Sequence, residues 1–157
     1  MEPLVSFVAA FLLPIPWFRP MQRTDQAAWG QLLAEFNRRG VTVISHHPRC
    51  QEADLHGLYV RGSRTVVVCE RGERSNTLRH EGWHLVQTLC LQGRPWLTAA
   101  QIEQQLSRDD QIELQTLVQP QRRQREAEAR AMAQLSTNTY LEELNNACAE
   151  RLVRQPE

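Results

Sequence analysis

The sequence predicts an α+β domain: a small antiparallel sheet packed on a helix that carries the string His80-Glu81-Gly82-Trp83-His84, with further helices after it. Three observations carry that prediction. Short β-branched runs lie between residues 41 and 69, separated by turn residues. The His80–His84 string sits inside an apolar pattern of helical period. Beyond residue 97 the chain offers helix-start signals and no further β-branched runs of strand length.

Taken in order, residues 4–13 are almost entirely apolar, but the run is too short to span a bilayer and is followed by Pro14 and Pro16. Glu2 stands where a secretory leader carries positive charge. Residues 1–20 are therefore read as an apolar N-terminal segment and residues 21–157 as one domain. The segment allows membrane association through residues 4–18, and the expected compartment is the cytoplasm. Residues 25–37 place Ala28, Trp29, Leu32, Leu33 and Phe36 at helical spacing behind a Thr24 or Asp25 cap, and Arg38-Arg39-Gly40 ends the helix.

Residues 41–45 form a short β-branched run, broken by His46-His47-Pro48. Residues 55–60 and 65–69 flank Arg61-Gly62-Ser63-Arg64 and read as a hairpin. Residues 65–69 are apolar on both faces, which predicts a buried strand. Ser75 is the expected cap of the next helix, whose core stripe is Leu78, Gly82, Leu85, Val86 and Leu89, with His80, His84 and Gln87 to one side; Gly93 and Pro95 stop it. Thr98 with Gln101, and Ser107 with Asp110, match capping boxes for two more helices. An arginine-rich turn leads into a helix over residues 126–133, and Thr139 with Glu142 predicts a cap for a last helix over residues 140–153.

The 157 residues suffice for one domain with a sizeable core. Formal net charge is zero, and all 18 basic residues are arginine. That balance gives no long-range attraction to nucleic acid, so no nucleic-acid partner is expected. Cys50, Cys69, Cys90 and Cys148 contain no CxxC pair and read as buried free thiols; their even number also permits two disulfides, in any of three pairings.

The chemistry lies in the HExxH string. Residues at i and i+4 stack on one helix face, so His80 and His84 can present two imidazoles to one metal ion with Glu81 beside them. A catalytic zinc site needs a third protein ligand and an open position for water. His46, His47, His56, Glu126 and Glu128 all qualify as that third ligand by residue type.

The HExxH helix behind a hairpin, followed by Glu126-x-x-Ala129-x-x-Met132-Ala133, resembles the minimal gluzincin metallopeptidases, of which the CAAX-prenyl-protease and ImmA/IrrE-like groups are examples. The resemblance implies a zincin-like fold, a Zn2+ cofactor, and His80, His84 and Glu126 as ligands, with the third ligand on a second helix. It also implies a peptide or protein substrate. In that chemistry zinc activates a water and polarises the scissile carbonyl, and Glu81 takes the water's proton and passes it to the leaving amine. An oxyanion donor is also needed. His56, Tyr140, Tyr59 and Arg130 are available, with His56 and Tyr140 favoured. Two positions depart from the family pattern: Gly82-Trp83 reverses the usual order of large and small residues before the second histidine, and Arg130 stands where the family has Asp or Asn. These departures motivate a second expectation, a catalytically inactive binding or regulatory module on the same fold.

Overall fold

A computed structural model describes residues 21–153; the apolar run at residues 4–13 lies outside the described residues. Helix α1 (Met21–Arg38) leads to strand β1 (Thr42–Ile44), a 3-10 turn at Pro48–Gln51, strands β2 (Gly57–Val60) and β3 (Thr65–Val68), and helix α2 (Arg74–Leu89). Helices α3 (Ala99–Gln105), α4 (Arg108–Leu117), α5 (Arg123–Gln134) and α6 (Thr137–Val153) complete the chain. Among the described residues the fold is α+β, with six α-helices and a three-stranded sheet.

The sheet is mixed, where a fully antiparallel one was expected. Strand order is β1-β3-β2, with β2 antiparallel to β3 and β1 parallel to it. The hairpin forms as its sequence predicts: Gly62 takes φ +75, and Ser63 N–H donates to the Val60 carbonyl. The surprise lies earlier. The loop after β1 crosses the end of β3 before entering β2, which leaves the first strand parallel to the third. That crossing is held by a disulfide between Cys50 and Cys69 and by the Arg71 guanidinium, which donates to the carbonyls of Cys50, Glu52 and Ala53. A second disulfide joins Cys90, at the end of α2, to Cys148 on α6. The free-thiol expectation is thereby corrected: all four cysteines pair, because the fold brings residues 19 and 58 positions apart into contact.

Helix α2 runs through the middle of the protein, between the sheet and α1 on one side and α5 and α6 on the other. Val66, Val67 and Val68 of β3 are fully buried, and Val66 and Val68 share one core cluster with Leu78, Trp83 and Val86 of α2. Burial on this scale stabilises by about 1.5–3 kcal/mol per large apolar side chain. Gly82 lets α1 approach: a Cβ there would lie 2.2 Å from Cζ of Phe36, so no side chain fits without displacing that ring. Trp83 points the other way, toward α5 and α6, and meets the Tyr140 ring edge-on at 5.9 Å.

Capping follows the sequence at two helices and departs at three. Thr98–Gln101 and Ser107–Asp110 close complete capping boxes. Helix α1 already runs at Met21, upstream of Thr24 and Asp25. Ser75 does not cap α2; its hydroxyl donates to the Asp25 carbonyl, a tertiary bond to α1 that displaces the local one. Helix α6 starts three residues before the expected position, with the Ser136 hydroxyl accepting from Thr139 N–H.

Candidate metal centre

Two adjacent helices build the centre. His80 and His84 project from one face of α2, their rings 4.9 Å apart and perpendicular. Glu126 comes from the first turn of α5, which packs along α2. Its carboxylate bridges the histidines: Oε1 lies 3.3 Å from His80 Nε2 and Oε2 lies 3.2 Å from His84 Nε2. One donor atom from each residue falls within 4.8 Å of the others, and among the described residues this is the only His, Cys, Asp or Glu group that could hold a metal ion.

The electrostatics follow from this packing. Burial alone would raise the Glu126 carboxyl, but hydrogen bonds and charge from His80 and His84 outweigh it and hold the group far below the usual carboxylate range. For His80, burial would lower the imidazole; the Glu126 hydrogen bond and the charges of Glu81 and Glu126 overcome it and leave the pKa raised.

Neighbouring groups fix each member of the triad. The His84 Nδ1 lies 2.9 Å from Gln87 Oε1; as that oxygen can only accept, Nδ1 is the donor, which orients the ring so that Nε2 faces Glu126. Gln87 is in turn anchored by its amide, which donates to the Arg125 carbonyl and to Glu128. The Arg125 guanidinium donates back to the His84 carbonyl and the Thr88 hydroxyl, so α5 and α2 are cross-linked beside the His80, His84 and Glu126 cluster. Arg130 lies 3.4 Å from Glu126 Oε1 and 2.8 Å from Glu113. The position where a carboxylate was anticipated thus holds a cation that contacts Glu126 directly.

Glu128 has a different task. It is 1% exposed and accepts four hydrogen bonds: from Trp83 Nε1 at 2.9 Å, Gln87 Nε2 at 3.0 Å, and the backbone N–H groups of Trp96 and Leu97 at 2.7 and 3.0 Å. Every lone-pair direction of that carboxylate is committed, which removes it from the candidates for third ligand.

Glu81 reaches the edge of the sheet. Its Oε2 accepts from the Tyr59 N–H at 2.9 Å, and its Oε1 lies 3.9 Å from His80 Nε2. Tyr59 belongs to β2, an edge strand, and its N–H points away from β3. Gly57 makes the approach of α2 feasible: a Cβ there would fall 2.6 Å from Thr77 Cγ2 and 3.1 Å from Glu81 Cγ.

Of the two favoured oxyanion donors, His56 is exposed and shares a cavity wall with His80 and Glu81. Tyr140 is corrected. It is fully buried, its hydroxyl donates to the Arg79 carbonyl at 2.9 Å, and burial pushes its pKa up against the pull of Arg79. The hydroxyl is spent on holding α6 to α2. His46 is exposed, and His47 Nδ1 caps the 3-10 turn by accepting from Arg49 N–H. Gln87 and Arg125 were legible only as a polar helix position and a solvated basic turn. The signal that could have marked Gln87 is its i+3 spacing from His84.

No protein-family model, curated protein or solved structure matches the chain. Among the described residues no helix is long and apolar enough to cross a membrane.

Proposed function

We propose that the chain is a zinc-dependent peptidase with zincin-like packing, in which His80, His84 and Glu126 hold the metal and Glu81 is the general base. The observation that carries the reading is the convergence of the three donors. Zinc bound by imidazole and carboxylate at about 2.05 Å in tetrahedral geometry separates neighbouring ligand atoms by about 3.3 Å. The two imidazole–carboxylate separations are 3.3 and 3.2 Å, each to a different oxygen of Glu126, and one donor atom from each residue lies within 4.8 Å of the others.

His80, His84 and Glu126 would hold a zinc ion, which when bound would supply Lewis acidity to polarise a carbonyl and lower the pKa of water toward 7. The chain does the rest. Glu81, held by Tyr59 N–H beside His80 rather than among the ligands, accepts the water's proton and returns it to the leaving amine. β2 is an edge strand, which gives an extended peptide a side to lie along, with its Tyr59 N–H already taken by Glu81. His56, on the same cavity wall as Glu81, is the remaining favoured donor for the developing oxyanion.

Protein purified without chelator should contain one zinc per chain by atomic emission, and Glu126→Gln should abolish it. Glu81→Gln should keep zinc and lose hydrolysis of a quenched-fluorescent peptide library. Metal-free wild-type protein, or retained hydrolysis in Glu81→Gln, refutes the assignment. Arg130 favours one second reading, a non-catalytic binding module, because its guanidinium competes for the Glu126 oxygen that faces His80. Full zinc occupancy with no cleavage across the library would select that reading.

A further inference from the structure

The triad divides a cleft with opposite charge at its two ends. One cavity, of about 630 Å³, extends from His80, His84 and Glu126 past the end of β2, and its wall carries Arg49, Arg61, Arg122 and Arg125. The other, of about 690 Å³, extends past the start of β2 and carries Asp54, Glu73, Asp110 and Glu113, with Arg130 among them. The chain as a whole has zero net charge, so this separation is a local arrangement and not a reflection of composition.

The basic end is short of counter-charge. Its only acidic wall residues are Glu81 and Glu126, both engaged at the triad. Arg49 pairs with Glu52, and Arg125 is committed to backbone and hydroxyl oxygens on α2. Arg61 and Arg122 are exposed, and among the described residues neither side chain has a carboxylate partner. A second observation points into the same cavity. Tyr59, 8% exposed, forms part of its wall, and its hydroxyl is buried with no hydrogen-bond partner. A buried hydroxyl without an acceptor, on a residue that shares its cavity wall with unpaired guanidiniums, is an arrangement that an oxyanion would complete.

We infer that Arg61, Arg122 and Tyr59 form a carboxylate subsite, so that the substrates are peptides bearing a carboxylate on one side only of the scissile bond. The inference rests on the peptidase reading for its catalytic half, while the binding half stands without it. Arginine suits the role because its planar fork meets a carboxylate bidentately. The acidic cavity on the far side repels a second carboxylate and sets the direction in which the peptide lies along β2. The carboxylate can be an Asp or Glu side chain or a free C-terminus.

The test uses otherwise uncharged labelled peptides in which a single Glu is moved along the sequence, each with a Gln counterpart and each as free acid and C-terminal amide. Two readouts are taken: kcat/KM on the wild-type protein, and equilibrium binding to Glu81→Gln by fluorescence anisotropy. In both, the preferred Glu peptide should exceed its Gln counterpart by about 10- to 100-fold, and the margin should shrink as salt rises from about 50 to about 500 mM. Arg61→Gln/Arg122→Gln, at exposed positions, should melt like wild type and lose the preference. A preference that follows the Glu position assigns the site to side chains; one that follows free acid against amide assigns it to the C-terminus. Equal handling of Glu and Gln, and of acid and amide, within twofold in both readouts overturns the subsite even if peptides are cleaved. Preferential binding without cleavage upholds the subsite and refutes the peptidase reading.

Discussion

Replacing Glu128 by Gln separates the residue that holds the site together from the residue that would hold the metal. The carboxylate accepts from Trp83 and Gln87 on one oxygen and from Trp96 and Leu97 on the other. A glutamine keeps one oxygen and turns the other into an NH2, which then faces two N–H donors. At least two buried donors lose their acceptor, each costing about 1–3 kcal/mol, while removal of a buried charge returns part of that. The net expectation is a loss of about 2–4 kcal/mol, or a fall in Tm of about 5–15 °C for a chain of this size. Urea unfolding of the metal-free protein, followed by tryptophan fluorescence, measures it. Glu126→Gln provides the contrast: metal binding is lost, while the metal-free protein gives up only the pairing of this carboxylate with His80, His84 and Arg130. A Glu128→Gln protein as stable as wild type would refute the role of the four-donor carboxylate. If that variant lost metal while Glu126→Gln kept it, the ligand assignment would be reversed.

Two further perturbations follow from the same contacts. In the metal-free protein Glu126 sits below its ordinary 4.5, so its contribution is present above that value and lost as pH falls through the folded pKa; His80 sits above its ordinary 6.5, so its contribution is full below 6.5 and lost as pH rises through the folded pKa. Stability of the metal-free protein should therefore peak between about pH 4.5 and 6.5 in a urea series, and zinc, which needs neutral imidazoles, should move the maximum to higher pH; a metal-free maximum above pH 7.5 would contradict the pairing. Reduction should cost about 3 kcal/mol for the Cys50–Cys69 loop and about 4 kcal/mol for the Cys90–Cys148 loop on chain-entropy grounds, read as a large fall in Tm with reductant, whereas four alkylatable thiols in the unreduced protein would restore the free-thiol reading.

What was legible in the chain was local. Helix period alone put His80 and His84 on one face, and the Thr98 and Ser107 boxes formed because their partners lie three residues away. What failed depended on distant residues. The direction of β1, three residues long, is set by a loop crossing that only the contacts of Cys50 and Arg71 reveal. Ser75 had the right chemistry for a cap and spent it on α1. Tyr140 was offered as a donor because its phase on the last helix was unknown, and that phase turns it inward. The joined cysteines weigh against the cytoplasmic expectation, since disulfides persist mainly in oxidising compartments.

The reversed Gly82-Trp83 order gains a packing account. Gly82 faces α1, where the Phe36 ring fills the space a side chain would need. Trp83 faces α5, where its indole N–H donates to Glu128, the same carboxylate that holds Gln87, which in turn fixes His84. A small residue at 83 would leave one of the four donors to Glu128 missing and a cavity beside Tyr140, at a cost of about 3–5 kcal/mol for so large a buried side chain. The order that departs from the family pattern is thus the one this core requires. It bears on how the ligand helix is seated and carries no argument against metal at His80, His84 and Glu126. The departure that touches the centre itself is Arg130, 3.4 Å from a Glu126 oxygen, and the choice between an active and an inactive centre turns on that contact.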